Sequence, residues 1–390
     1  MRLSQTRVAR LFLVLVAVYI SIGAILMTRT GLSIVSRDVV LDRNIIKYDK
    51  TVSIGYKNPN KIKILFWTEF FGSMNLLNTT KTQFQKYGGI CEVTGNKSEI
   101  ETADIVVFHF LDLWFWQSLP KYRDDNQIWI LFVVEPPPHI YWTGLNVPNM
   151  VFNWTMSYRR DSDLILPYGQ FAELTPEEKI SNKRLSLSVS ATKTKMIASV
   201  ISNCVDDARR YRHVSELKKY LPIDEYGECG NLDCPRNAEC NKIVSKYRFK
   251  IAFENSNCRD YVSDKFYSAI ANNLIPIVNW KGEQIVDTPP NSYINIYDFK
   301  NMKELGDYLI KLSHNNTLYD SYFEWKRHYK LVTGDMWSAF PTIFEKVHRN
   351  RRYQAQVIVN PWAWIENDSC QRWSVCISII YTMDLTNYLI

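Results

Sequence analysis

Glu254, Asn255, Arg259, Asp260, Tyr261, Asp264 and Lys265 lie within one short stretch of the chain. Carboxylates, an amide, a phenol and cations at that density suit a ligand rich in hydroxyls and negative charge, such as a sugar, a ribose and phosphates. Lys265 is informative in itself. If a helix opens here, a lysine in its first turn opposes the positive end of the helix dipole. An anion held between the ammonium and the free backbone N–H groups would relieve that conflict. Glu135 is a second candidate, because it follows the apolar run Trp129 to Val134 and precedes Pro136, Pro137, Pro138 and His139. In open parallel sheets a carboxylate at a strand's carboxyl end faces a cleft, and prolines stiffen the backbone after it. Taken alone, a loop glutamate before a turn is the simpler reading.

The elements that must hold these residues are legible around them. From Tyr247 the chain alternates, with Phe249, Ile251 and Phe253 on one side, which predicts a half-buried strand ending at Glu254. A polar loop follows. From Ser263, a good N-cap, Phe266, Ala269 and Ile270 recur at helical spacing, and Asn272 with Asn273 closes the helix. Ile275 to Val278 resumes as a short buried strand. In open parallel sheets a ligand sits beyond the strand end and near the helix N-terminus, which is where the polar set falls. Earlier in the chain, Ile62 to Trp67, Ile105 to Phe110 and Trp129 to Val134 read as strands separated by helix-length stretches, predicting a first α/β domain with a parallel sheet. Leu185 to Thr194, rich in Ser, Thr and Lys, reads as a linker. Beyond it come a strand from Met196 to Ser202, a basic helix from Ala208 to Tyr220, a strand and turn from Ile223 to Gly230, and a helix from Met302 to Ser313. Tyr319 to Tyr329 reads as a further helix that packs Tyr322, Phe323 and Trp325 on the core.

The run Phe249-Lys-Ile-Ala-Phe253-Glu-Asn-Ser256, followed by Asp260-Tyr-Val-Ser-Asp264-Lys265, closely resembles the α1,3-fucosyltransferases of glycosyltransferase family 10. Their pattern is F-x-x-A-F-E-N-S, then D-Y-[IV]-[ST]-E-K. Asp264 departs from the usual Glu and shortens the carboxylate's reach by one methylene. The segment from Phe152 through Arg159, Arg160, Asp161 and Asp163 to Pro167-Tyr168-Gly169 is a second close resemblance, and the likeness runs from about Ile62 to about Lys330. It implies two Rossmann-like domains facing a cleft, the GT-B arrangement, and an inverting transferase that uses GDP-fucose as donor. The implied acceptor is a GlcNAc-containing glycan, an N-glycan or another such oligosaccharide. On the matched positions Glu135 resembles the general base, with Pro136 standing where the family often has a small polar residue. Ser202-Asn203 ahead of the basic helix makes Arg210 the better match for a phosphate-contacting arginine, with Arg209 its competitor; the plain alternative for either is a solvated helix face. A guanidinium near a helix start can grip a diphosphate with two hydrogen bonds. Lys265 and Arg210 would stabilise the leaving GDP, Tyr261 and Asp264 would hold phosphate or ribose hydroxyls, and Glu254 and Asn255 would shape the donor pocket. The scheme requires no metal and no cofactor, because fixed cations do their work. Asp161-Ser162-Asp163 invites a divalent-ion reading, but Arg159 and Arg160 would compete with a cation. A glycan-binding protein that kept the fold and lost turnover is the alternative.

With 390 residues, 46% of them hydrophobic, the chain can bury two or three domains and is not disordered. Lys and Arg exceed Asp and Glu by 47 to 40, and the excess forms no long basic block. That favours a phosphate-bearing small donor over nucleic acid. Arg2, Arg7 and Arg10 precede an uncharged stretch from Leu11 to Thr28, which reaches the lower range for a membrane-spanning helix. The arginines place residues 1–10 in the cytosol and 11–28 as a signal anchor, giving a single-pass type II protein with its catalytic part in the lumen. A short span suits the thinner membranes of the early secretory pathway, and the expected membrane is that of the Golgi. A cleaved signal peptide is the alternative, but the apolar part is long for one and no clear A-x-A site follows. Residues 29–61 then form a stem, 62–185 an acceptor-side Rossmann-like domain, 195–335 a GDP-fucose-binding Rossmann-like domain, and 336–390 a segment without an assigned role. The eight cysteines, in an oxidising lumen, predict disulfides rather than zinc ligation, with the pairing open. N-x-S/T sequons make Asn78, Asn96, Asn153, Asn315 and Asn367 candidate glycosylation sites.

Overall fold

The structure is a computed structural model that describes residues 47–53, residue 370, and 61–366 except 88, 114–119, 145–151, 183–187, 205, 207, 236–237, 282–287, 333–339, 350–351 and 359. The expected tail and anchor, most of the expected stem, Asn367 and Cys376 lie outside the described residues. No helix among the described residues is long and apolar enough to cross a membrane.

In chain order the first elements are β1 (Lys47–Ser53), β2 (Ile62–Phe66), α1 (Asn75–Phe84), β3 (Cys91–Thr94), β4 (Ile105–His109), β5 (Ile128–Val133), α2 (Pro137–Gly144), β6 (Trp154–Ser157) and β7 (Leu164–Ile165). Strands β2 to β7 make a six-stranded sheet in the order β3-β2-β4-β5-β6-β7, every neighbouring pair parallel. Its central strands β4 and β5 are buried at every residue, as their unbroken apolar runs require of a parallel sheet covered on both faces. Next come β8 (Gln170–Glu173), α3 (Pro176–Asn182), β9 (Lys195–Val200), α4 (Arg210–Leu217), β10 (Asp224–Tyr226), α5 (Ala238–Val244), β11 (Tyr247–Ile251), α6 (Asp264–Ala271), β12 (Ile275–Val278) and β13 (Ile294–Asn295). Strands β9 to β13 form a second all-parallel sheet in the order β10-β9-β11-β12-β13. Both are α/β layers, and the reversal of strand order beside β9 and β11 puts the carboxyl end of β11 at a switch point.

The chain then runs through α7 (Met302–His314), α8 (Asn316–Ser321), β14 (Tyr329–Val332), α9 (Pro341–Arg349), β15 (Arg352–Ile358) and α10 (Pro361–Glu366). Three expectations change here. The predicted helix from Tyr319 to Tyr329 is instead the end of α8, a short 3₁₀ turn and the start of β14, which pairs antiparallel with β8. Asn315 accepts from Leu318 N and starts α8 as a separate short helix, which ends at Ser321, before the 3₁₀ turn Glu324–Arg327. The stem is not featureless, because β1 pairs antiparallel with β15 along its whole length. The C-terminal segment also acquires a role. Phe340, Ile343, Phe344 and Val347 join the core of the first sheet, and Trp364 and Ile365 cover its other face.

Disulfides join Cys204 to Cys229, Cys234 to Cys240, and Cys258 to Cys370. Among the described residues Cys91 is a free, buried thiol, which burial pushes up to about 12. Asn78, Asn96 and Asn315 are exposed, but Asn153 is only 5% exposed. Its Oδ1 accepts from Trp129 N at 2.8 Å and from Arg123 Nη2 at 3.0 Å, tying β5 to the start of β6. A sequon whose asparagine is spent inside the sheet has no room for a carbohydrate, so Asn153 is withdrawn as a glycosylation site. Glycopeptide mapping of the protein from a eukaryotic host should find the Asn153 peptide unmodified; a glycan there would mean that this junction is built differently.

Candidate active site

The site is assembled at the carboxyl ends of strands from both sheets. After β5, Val134 and Glu135 turn outward; after β2, Phe70 and Phe71 make a tight turn. After β11, the loop from Glu254 to Tyr261 leads into α6. Together these segments enclose a cavity of about 220 Å³. Glu135, Phe70 and Phe71 line it from the first sheet, and Asn255, Tyr261, Asp264 and Lys265 line it from the second, with Tyr168 between them. The structure therefore brings Glu135 and Lys265, which stand far apart in sequence, to one chamber.

Helix α6 starts as the sequence predicts, with Ser263 as N-cap accepting from Lys265 N. What the sequence does not reveal is the role of Glu254. It is fully buried, its Oε1 accepts from Ser263 N at 2.7 Å, and both carboxylate oxygens accept from Ser263 Oγ, at 3.0 and 2.7 Å. Lys265 Nζ donates to Ser263 Oγ at 2.7 Å and lies 3.4 Å from Glu254 Oε2. Glu254 does not line the cavity. It answers the misplaced lysine from beneath, and it puts a negative charge at the positive end of α6. Asn279, after β12, fixes the backbone of Glu254 from both sides: its Oδ1 accepts from Glu254 N at 2.8 Å and its Nδ2 donates to Glu254 O at 3.1 Å. An asparagine directly after a buried β-run is the sequence signal that points to this residue.

Burial raises the Glu135 carboxyl above its ordinary value; Lys265 pulls against this, while Glu254 and Asp264 add to it. A raised carboxyl suits a group that must accept a proton near neutral pH. Tyr261 is buried, with its ring edge-on to Tyr158 at 5.0 Å and to Tyr168 at 6.1 Å. The Tyr168 hydroxyl donates to Val134 O at 3.0 Å, which fixes the residue before Glu135. Asp264 is largely exposed at the cavity, its side chain 75% accessible. Asn255 Oδ1 is buried with no hydrogen-bond partner among the described residues, an acceptor that a ligand hydroxyl or N–H would satisfy.

Arg210 lies apart from Glu135 and Lys265, outside the lining of their cavity. It opens α4 but is 3% exposed, with Nε donating to Asp206 Oδ2 at 2.6 Å and Nη2 to Asn203 O at 3.0 Å. It does not line this cavity, and its buried ion pair with Asp206 ties α4 to the loop after β9. Its competitor Arg209 adopts φ +54° at the N-cap position of α4, without a side-chain capping bond. The acidic pair Asp161 and Asp163 is likewise committed. Asp161 receives Arg159 Nε at 2.8 Å and Arg259 Nη2 at 2.8 Å, and Asp163 receives Thr155 N at 2.9 Å. Arg159 also donates to the carbonyls of Trp364 and Ile365, so the same cluster joins the first sheet, the β11 loop and α10.

Gly169 shows how closely the segment before β8 approaches α6: a Cβ there would stand 2.3 Å from the ring of Tyr267.

Known proteins share this architecture. The family model described as "Fucosyltransferase, N-terminal" matches residues 59–169, and that described as "Glycosyltransferase family 10 (fucosyltransferase) C-term" matches residues 190–362. The chain is 32% identical to Glycoprotein 3-alpha-L-fucosyltransferase A of Drosophila melanogaster over 70% of this chain and 54% of that protein, so it spans about half the relative's length. It is 30% identical to Alpha-(1,3)-fucosyltransferase C of the same organism over 69% of this chain and 70% of that one. Among solved structures, a crystal structure of an alpha1,3-fucosyltransferase with GDP-fucose shares the fold at a TM-score of 0.50, with 17% identity over 75% of this chain and 92% of that one. Matched over both halves by its models, and 30% identical to a relative most of whose length it covers, the chain belongs to glycosyltransferase family 10, the fucosyltransferases.

Proposed function

We propose that the protein moves L-fucose from GDP-fucose to a hydroxyl of a GlcNAc-containing glycan in α1,3 linkage, inverting the anomeric carbon. The observation that carries this reading is the meeting of Glu135 and Lys265 in one cavity, a proton acceptor from one sheet and a cation from the other. The acceptor hydroxyl is a poor nucleophile at neutral pH, so Glu135 takes its proton as the oxygen attacks the anomeric carbon from the face opposite the leaving group. The bond from that carbon to the diphosphate breaks as the new one forms, and negative charge grows on GDP. Lys265 and the N-terminus of α6 stabilise that charge most as the bond breaks. Tyr261, Asp264 and the unpartnered Asn255 Oδ1 supply contacts for donor hydroxyls. Relatives named as α1,3-fucosyltransferases, and a structural neighbour solved with GDP-fucose, support the choice of donor and linkage.

Residues 11–28 serve in this proposal as a signal anchor that holds residues 29–390 in the Golgi lumen. The three disulfides among the described residues suit such an oxidising compartment. The direct test incubates the full-length protein in detergent with GDP-fucose and a panel of glycans, followed by linkage analysis of the product. An α1,3-fucosylated GlcNAc with release of GDP is expected. Glycan binding with no release of GDP from GDP-fucose in the presence of any acceptor would make the protein a glycan-binding relative instead.

A further inference from the structure

The turn that walls the cavity on the Glu135 side contains a residue that does not suit it. Phe70 N donates to Ser73 O at 3.0 Å and Ser73 N to Phe70 O at 3.1 Å, with Phe71 at φ +48° and Gly72 at φ +69° between them. Positive φ at both central positions is the arrangement of a type I′ turn, which Gly, Asn and Asp favour. A bulky ring in that conformation persists only where its surroundings over-determine it, and such sites concentrate where ligands bind.

The surroundings here are built for the purpose. Asp112 Oδ2 accepts from Phe71 N at 2.8 Å and its Oδ1 from Gly72 N at 3.1 Å, so one carboxylate holds both central amides. His109 Nδ1 lies 2.5 Å from the same Oδ2, and His109 is itself anchored by its backbone N–H on Thr68 Oγ1 at 2.7 Å. The ring of Phe71 stands 5.0 Å from His109 and 4.6 Å from Phe70, which stacks on Phe132 at 5.6 Å. This scaffold does not bury Phe71. The residue stays 48% exposed and lines the same cavity as Glu135.

A core role would bury the ring, and a turn role alone would not select phenylalanine. We propose that Phe71 is the stacking platform for the acceptor sugar, its ring lying against the C–H face of the pyranose that bears the attacking hydroxyl, with Asp112 and His109 as the positioning pair. The acceptor is the partner the geometry favours, because Phe71 comes from the sheet that supplies the base, whereas the lysine suited to a diphosphate comes from the other. This inference rests on the transferase reading of the same cavity.

The test measures both substrates separately, with a GlcNAc-terminated N-glycan as acceptor. Phe71→Ala should raise the acceptor KM about tenfold, the size of one lost aromatic contact, and leave the GDP-fucose KM within about twofold. Phe71→Trp should restore the acceptor KM. Asp112→Asn should reproduce the acceptor-side change through the turn; if that variant is insoluble, the exposed Phe71 substitutions still decide the platform. Saturation-transfer NMR of the same glycan with the GDP complex reads acceptor binding without turnover. A wild-type protein that binds the glycan through Phe71 but transfers nothing would overturn the transferase reading and keep the platform. An unchanged acceptor KM in Phe71→Ala, or equal rises in both KM values, would overturn the platform while the transferase stands.

Discussion

Replacing Glu135 by Gln is expected to lower fucose transfer by about 10²–10⁴-fold, the usual contribution of a positioned general base, while GDP binding persists and the folded protein becomes more heat-stable at pH 7. The first part follows from the chemistry: a glutamine keeps the shape but cannot take the acceptor's proton. The second follows from the environment. Burial raises the Glu135 carboxyl in the folded protein, with Glu254 and Asp264 adding to it and Lys265 opposing it. The folded state therefore holds this proton more tightly than the unfolded chain does. Stability from this group is fully present below the unfolded glutamate value, near ~4.3, and is lost as pH rises through the higher folded value. At pH 7 the unfolded chain is ionised while the fold disfavours that charge, so the carboxyl is a cost to folding, which Gln removes. Product formation by chromatography and melting curves at pH 7 and pH 4 check both parts, the stability gain being expected at pH 7 only. Wild-type turnover would remove Glu135 from the mechanism, and a lower melting temperature at pH 7 would mean that burial does not dominate its surroundings. The same raised carboxyl sets the acid limb of kcat/KM above that of an ordinary glutamate.

The elements around this site are written plainly in the chain because each local rule agrees with the tertiary context. The alternation of Phe249, Ile251 and Phe253, the cap at Ser263 and the apolar run Ile275–Val278 all emerge with nearly the predicted bounds. Sequence and structure part where a local signal meets a competing one. From Tyr319 to Tyr329, aromatic spacing suggests one helix, but Asn315 starts a short one and Tyr329 is drawn into pairing with Glu173. Arg210 carries the right sequence context, yet a carboxylate four residues earlier, Asp206, neutralises it in a buried pair. Charge type and spacing cannot tell a guanidinium that faces a ligand from one that holds a loop, because the difference lies in which carboxylate the backbone brings near. Glu254 shows the same limit. Its chemistry is visible, but only the fold reveals that it points at Ser263 and Lys265 and away from the cavity wall. Phe71 is hidden for another reason, since an aromatic after a strand reads as core until its positive φ and its exposure are known.

Lys265→Ala is expected to slow transfer by about 10²–10³-fold, the loss of one fixed charge at a leaving group, and to move the acid limb of the rate profile to higher pH. The two effects have separate origins, which makes the pair diagnostic. The rate falls because GDP departs without its cation. The acid limb moves because Lys265 is the neighbour that pulls the Glu135 carboxyl down, so its removal leaves burial, Glu254 and Asp264 to raise it further. A lysine that merely stabilised the fold would lower the amount of active enzyme without moving the limb. Glu254→Gln supplies the complementary measurement. It takes the charge from beneath Lys265 but keeps a group that can accept from Ser263, so it should lower kcat through a misplaced ammonium and leave the Glu135 limb slightly lower. Because the two residues act as one unit, the double variant should be no slower than Lys265→Ala alone, a departure from additivity that contact pairs show and independent sites do not. Rates that multiply in the double variant, or an acid limb that moves down when Lys265 is removed, would break the link between the lysine, the buried glutamate beneath it and the base in the same cavity.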